Sequence, residues 1–551
     1  MPVSEPPVQP EKRRFVVLGL IAAIVLLTAL LRFPGKPSQL IAEHWLYLPL
    51  EAPLAVLVLL VLKGRAFLAA RVLMISFLSL LLLLRMGNLV SRTAFGRGFN
   101  PIAEWHLVTQ GWSLTAKTIG KTEAIALAVG GIVLLVLIAI FLYRGLGNLA
   151  RLSKPSRRNT FVAAAAVAAV GAGLMGLETY HKKNYHVGMV SFEELRSRIE
   201  YTHKKIKDQA EFTELMATDP IADSEPRFAA LKGRDVIILF VESYGRTSID
   251  SEQFADQADA RLKSVEAEIT DAGLSVKSAW IDSPIRGGRS WLAHATVASG
   301  LPLTDHARFD RLITSDRKSL PVLFGEAGWE TSVLLPVVKG VPWVEGEWYQ
   351  VDRFYDRDAL EYQGKGFGYV TMPDQYTLTA FEEKVRATAD YPLMAHIGLM
   401  DSHAPWGPLP IHQPWDTIGD GSVFDGTQRH GDTHSWAKPA PVRIAYGKAV
   451  DQTMKLIGEY LARYADDALF IIVGDHQPAS VIDGWAPSAE VPMHIVTAEP
   501  ELLERLPELN FNDGMRPHAD SPALPMQSVR GMLSTVFEEP LTSLPIETSL
   551  R

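Results

Sequence analysis

The stretch LFIIVGDHQP, residues 469–478, decides the fold. A short apolar run that stops abruptly at Gly474, Asp475 and His476 reads as a buried parallel strand whose C-terminal end delivers a carboxylate and an imidazole to one spot. Ligand sites in open α/β sheets lie at such strand ends. Asp475 and His476 offer a hard oxygen and a borderline nitrogen, a pair that zinc, manganese or magnesium accepts if other strands bring more ligands. Alone, the dipeptide is equally the turn after a strand, so the other strands have to be found.

DVIILFVESYG, residues 235–245, is a second buried strand, and it ends in Glu242. If both strands are central, Glu242, Asp475 and His476 converge; the competing role for Glu242 is an acid capping a helix amino end. Strand-like runs at 275–281, 331–335 and 394–399 alternate with helical patterns at 256–272, 291–299 and 442–464. Such alternation predicts a mainly parallel sheet sandwiched by helices. VPMHIVTAEP, residues 491–500, is expected as an edge strand. GGRSWLAHATVASGLP, residues 287–302, puts two glycines, a base and a hydroxyl before a helix, so Ser290 is expected at its N-cap. A metal on the Ser290 oxygen would turn it into a nucleophile, and Arg289 would balance phosphate charge.

The first third of the 551 residues is a different material. Apolar runs at 15–31, 46–62, 67–84, 124–143 and 160–177 each approach the roughly 20 residues a bilayer helix needs. Lys and Arg concentrate at 12–14, 63–71 and 144–158, which puts the N-terminus inside and everything after Leu177 outside. Glu51 is expected at the membrane interface, and 94–121, with Trp105 and Trp112, as an interfacial shelf or a plain loop. The expected organisation is a five-helix transmembrane domain over 1–180, a helical stalk over 181–230 and an extracytoplasmic catalytic domain over 231–551. With no Cys, thiolate chemistry and disulfides are excluded, and a net charge of −8 speaks against a nucleic-acid partner.

VES at a strand end, Gly-Gly-Arg-Ser opening a helix, SHAPW after the 394–399 strand and VGDHQP together resemble the alkaline-phosphatase/sulfatase superfamily. More narrowly they resemble its membrane-anchored phosphoglycerol transferases, such as lipoteichoic acid synthases and the enzymes that decorate periplasmic glucans. The resemblance covers nearly the whole chain and implies an alkaline-phosphatase-like α/β domain. It implies one divalent metal, manganese first and Mg2+ or Zn2+ as alternatives, on Glu242, Ser290, Asp475 and His476, with Ser290 the nucleophile. It places substrate-binding roles on Arg289, Trp343 and His403, and His403 would also assist proton transfer. The implied partners are a membrane phospholipid donor and a glycan or other extracytoplasmic acceptor, at a bacterial inner membrane. Glu345 stands where the synthases carry an arginine, which points toward an amine-bearing head group such as phosphoethanolamine. A phosphodiesterase or sulfatase-type hydrolase and a catalytically silent binding domain are the remaining readings. Residues 407–439 are expected to form a lid, and His294, one turn after Ser290, either faces the site or does not.

Overall fold

The computed structural model describes residues 10–95, 98–99, 112, 120–181, 185–222, 227–338, 343, 346–367, 369–427, 439–484 and 488–540. The chain divides into two compact units, residues 1–93 with 97–208 and residues 94–96 with 209–551.

The first unit is helical: α1 (Pro10–Leu31), α2 (Glu51–Val61), α3 (Gly64–Phe95), α4 (Lys121–Gly147) and α5 (Lys154–His181), followed by α6 (Val190–Ala217). Four of these, α1, α3, α4 and α5, are long and apolar enough to cross a membrane. The run expected as the second span forms only the 11 residues of α2, about 16 Å of helix against a hydrocarbon core of about 30 Å. Before α2 the chain makes a 3-10 turn, Ala42–Leu46, and a two-residue strand, β1 (Leu48–Pro49), paired in parallel with β2 (Val187–Gly188). Glu51 opens α2, and its carboxylate accepts the Ser191 amide at 2.5 Å. Arg85, just past the apolar run at 67–84, lies inside α3, where its guanidinium donates to the Leu31 carbonyl at 2.6 Å and to Glu194 at 2.8 Å. The shelf expected at 94–121 falls almost wholly outside the described residues.

The second unit is built on one nine-stranded sheet. Its strands are β3 (Asp235–Val241), β4 (Ser275–Asp282), β5 (Glu330–Leu334), β6 (Arg353–Tyr355), β7 (Leu393–Leu399), β8 (Ala468–Gly474), β9 (Glu490–Thr497), β10 (Asn512–Asp513) and β11 (Leu524–Pro525). Spatial order is β10-β4-β9-β8-β3-β7-β5-β6, with β11 beside β4. β3 is central, parallel to both β7 and β8. β9 is not the edge strand expected at 491–500. It lies inside the sheet, antiparallel to both β4 and β8.

β3 is buried on both faces. Ile237, Leu239 and Val241 join one core, and Val236, Ile238 and Phe240 join the other. That two-sided burial is why the sequence of β3 shows no polar alternation. Helices α7 (Ala255–Asp271), α8 (Ser290–Ser299), α9 (Asp374–Ala380) and α10 (Pro439–Tyr464) supply apolar side chains to these layers.

Candidate active site

The parallel strands β3, β7 and β8 end side by side, Val241 in register with Gly474 on one flank and with Leu399 on the other. Glu242, Asp475 and the 400–403 turn therefore emerge at one edge. Gly474 allows the closest approach: a β-carbon there would run into the Tyr244 carbonyl oxygen. Ser243 takes a left-handed φ of 56°, and its amide donates to Asp475 Oδ1 at 2.7 Å. The same oxygen accepts the His476 amide at 2.6 Å.

Glu242, Asp475 and His476 are buried, and one potential ligand atom from each lies within 4.8 Å of the others. His476 Nδ1 meets the Gln477 carbonyl at 2.8 Å. A carbonyl only accepts, so Nδ1 carries the proton and Nε2 is turned to the cluster, 3.4 Å from Glu242 Oε1. That tautomer is the one a metal-binding imidazole needs.

Ser290 completes the group from another direction. Gly287, Gly288 and Arg289 all hold positive φ, 64°, 118° and 71°, a run that two glycines make inexpensive and a buried arginine does not. This loop is stitched to the end of β8. The Gly287 amide donates to the Gln477 carbonyl at 2.9 Å, and the Ser283 hydroxyl to the Asp475 carbonyl at 2.7 Å. The result fixes Ser290 opposite His476. Its hydroxyl donates to Glu242 Oε2 at 2.7 Å and lies 3.3 Å from His476 Nε2. Ser290 is not the helix cap that its position predicted: it is the first residue of α8, Arg289 flanks it, and no side chain caps that end. The hydroxyl is committed to the cluster instead.

Burial and the Glu242 charge push the Asp475 carboxyl up to about 8, against the opposing pull of His476 and of hydrogen bonds from Ser290 and Ser243. Burial alone would lower His476, but the Asp475 and Glu242 charges raise it to about 9. For Glu242 burial is again the largest influence and acts upward, yet His403, His476 and the Ser290 hydroxyl together hold the carboxyl below its usual range. Asp475 and His476 thus hold protons beside a Glu242 that stays ionised, so the negative charge of the pocket is balanced by positive charge close to it.

His403 sits in the turn after β7. Its Nδ1 lies 2.5 Å from the Ala404 carbonyl, so Nδ1 carries a proton and the other ring nitrogen is the one left to exchange a proton. The Ser402 hydroxyl donates to the Glu242 carbonyl at 2.6 Å and ties this turn to β3. Two further features carry no obvious motif. Tyr369 stacks on the His403 ring, centroids 4.0 Å apart and planes 11° off parallel. Asp374 accepts the Met400 and Asp401 amides at 2.6 and 2.9 Å, while Asp401 Oδ1 accepts the Asp374 amide at 3.2 Å, a reciprocal clamp under the turn. Burial raises both carboxyls, Asp374 to about 7. Asp401 lies within the very LMDSHAPW stretch that reveals His403; Tyr369 has no local signal.

Trp343 packs among aromatic rings, 4.5 Å from Phe354 and 4.9 Å from Tyr349, and among the described residues it makes no ring contact with Glu242, Asp475 or His476. Glu345 and residues 428–438 of the expected lid lie outside the described residues. His294 is buried, with its Nδ1 3.0 Å from His396 Nε2. Burial drives its pKa down to about 3, the Glu242 charge opposing, so it is a neutral neighbour.

No known protein-family profile matches the chain, and no curated protein matches it. Solved structures do. The lipooligosaccharide phosphoethanolamine transferase A of Neisseria meningitidis, an integral membrane protein, is similar over 95% of both chains at 14% identity and a TM-score of 0.48. The lipoteichoic acid synthase LtaP of Listeria monocytogenes is similar over 60% of this chain and 78% of its own, at 13% identity and a TM-score of 0.38. The Streptococcus pyogenes phosphoglycerol transferase GacH, in complex with sn-glycerol-1-phosphate, is similar over 49% of this chain and 69% of its own, at 14% identity and a TM-score of 0.33. At such identities and scores these likenesses add nothing to what the side chains themselves carry.

Proposed function

We propose that the chain is a membrane-anchored, metal-dependent phosphotransferase of the alkaline-phosphatase/sulfatase type. In this reading it moves a phosphoglycerol-type head group from a membrane phospholipid to an extracytoplasmic glycan. The observation that carries it is the Ser290 hydroxyl, 2.7 Å from Glu242 and 3.3 Å from His476, on a buried three-residue cluster of metal-binding character. The four membrane-length helices support a bacterial inner-membrane location, and placing the sheet domain outside requires the 11-residue α2, together with the chain just before it, to complete a fifth crossing.

The residues fit one divalent ion. Two carboxylates, an imidazole with its lone pair turned inward and a hydroxyl form an oxygen-rich set with a single nitrogen, suited to manganese, magnesium or zinc. Such an ion, held by Glu242, Asp475 and His476, lowers the pKa of a nearby alcohol and offsets charge developing on phosphoryl oxygens.

In the first half-reaction Ser290 Oγ passes its proton to Glu242 Oε2, to which it already donates, and attacks phosphorus. The bond from phosphorus to the diacylglycerol oxygen breaks, and His403 gives that oxygen a proton. The product is a glycerophosphoryl ester of Ser290. In the second half-reaction an acceptor hydroxyl attacks the same phosphorus, His403 takes its proton, and Ser290 Oγ leaves and recovers its own proton from Glu242. Buried Arg289 adds positive charge beside the nucleophile. Phosphoethanolamine is the second reading, favoured by Glu345.

The test is mass spectrometry of the Ser290 peptide after purified full-length protein with Mn2+ has met bilayer lipids, with Ser290→Ala as control. A glycerophosphoryl adduct on wild type alone is expected. A phosphoethanolamine adduct keeps the mechanism and changes the substrate. Lipid turnover without any adduct, with metal bound, overturns the covalent route in favour of hydrolysis.

A further inference from the structure

The helical unit holds a cationic groove that phosphoryl transfer does not use. Arg71, in the second turn of α3, is 9% exposed within an apolar bundle. Its guanidinium carbon lies 3.8 Å from the centroid of Tyr143 and 5.3 Å from that of Phe67. Among the described residues no carboxylate pairs with it, and its Nε is buried without a hydrogen-bond partner. Aromatic faces offset only part of what a guanidinium without a counter-ion loses on leaving water. A buried charge in that condition awaits an anion.

Arg71 faces a groove of about 1140 Å3 between α1, α3 and α4, whose lining includes Arg144 and Arg151 and no acidic residue. Its floor is kept open by glycine. A side chain at Gly147 would collide with Arg71 Nη1, and one at Gly145 with Ala23 of α1. The groove is not polar throughout. Leu26, Leu137 and Phe141 form an apolar wall running up the helices from the arginine end.

We infer that this groove binds the phosphate head group of an anionic phospholipid, with Arg71, Arg144 and Arg151 around the phosphate and an acyl chain along the apolar wall. A phosphate accepts from several guanidinium groups at once, and basic pockets between membrane helices hold lipid head groups in this manner. The apolar wall is what selects a lipid over free phosphate. The assignment rests on α1, α3 and α4 being membrane-embedded and is independent of the Ser290 chemistry.

The experiment titrates full-length protein, in neutral detergent, with phosphatidic acid or phosphatidylcholine and counts bound lipid by native mass spectrometry. Phosphatidic acid carries no head-group alcohol, and comparing variants with the same active site cancels binding there. Wild type is expected to prefer phosphatidic acid about tenfold, Arg71→Gln to lose that preference and Arg71→Lys to keep most of it. Should Arg71→Gln fail to fold, the exposed pair Arg144→Gln/Arg151→Gln is expected to weaken phosphatidic acid binding in the same direction. Unchanged preference in Arg71→Gln, or in the exposed pair, overturns the site. Displacement of the lipid by millimolar inorganic phosphate makes it a small-anion site and overturns the lipid assignment.

Discussion

His494 shows how a single side chain can set the acid limit of the sheet domain. It lies in β9, fully buried, with Ser278 Oγ 2.7 Å from Nδ1 and Tyr244 OH 3.2 Å from Nε2. Ser278 already donates to the Gly514 carbonyl at 2.6 Å, so Nδ1 must donate to Ser278 and Nε2 must accept from Tyr244. One neutral tautomer satisfies every group, and burial lowers the pKa from 6.5 to about 3. The depressed folded-state value means that below pH 6.5 only the unfolded chain takes up the proton, so stability falls as pH drops toward 3. At pH 5 the loss from this residue is about 2 kcal/mol. His494→Gln is therefore expected to be destabilised at pH 7 and to close about 2 kcal/mol of its gap to wild type by pH 5, in unfolding of the full-length protein. A gap that stays constant across that range would mean that His494 is not held neutral. At this scale the metal-type residues were readable because each ends or follows an apolar run. Tyr369 was not, because its only relation to His403 is a stacked ring reached through tertiary structure.

At the scale of elements, Gly474 is where geometry leaves least freedom. Gly474→Ala would press a methyl group on the Tyr244 carbonyl oxygen, and the strand end must shift. A cost of about 1–3 kcal/mol is expected, with loss of the Ser290 adduct out of proportion, because the shifted residues are Asp475 and His476. Thermal unfolding beside adduct yield checks both, and retention of full adduct would show that the strand end tolerates the movement. Strands β3, β7 and β8 were legible since an all-apolar run has one interpretation in an α/β pattern. The place of β9 was not, because an apolar run reports burial and is silent about which strands flank it. Nor was the shortness of α2. A hydropathy window over 46–62 registers apolar residues, whereas the chain enters the helix only at Glu51, after Pro49. Ser290 was found for its chemistry and misread for its geometry, since a serine before a helix is the commonest cap and only the neighbouring strand end reveals a different partner.

For the whole molecule, the cluster couples metal to folding. If Glu242, Asp475 and His476 bind an ion in the folded state alone, saturation at about 1,000 times Kd adds about 4 kcal/mol. Chelation is expected to lower the unfolding temperature of the full-length protein by several degrees, and Mn2+ or Zn2+ to restore it. An unfolding temperature indifferent to chelator and added metal would count against a metal role for the three residues. The two units could be told apart in sequence because their compositions differ, an apolar third before an α/β alternation. The groove around Arg71 could not, since it needs three helices in place before the arginine has neighbours.

The central position of β3 has a consequence for biogenesis. It is the first strand of the sheet to be synthesised, yet the partners of its two sides arrive late. Asp235 bonds to Leu393, 158 residues further on, and Ser243 to Asp475, 232 residues further on. A nascent domain emerging amino end first thus carries an apolar strand with both edges open until most of the remaining chain has followed. Contacts so distant in sequence fold slowly and leave the intermediate prone to aggregation, so production of this protein should be limited by holding chaperones and proteases on the side where the sheet assembles.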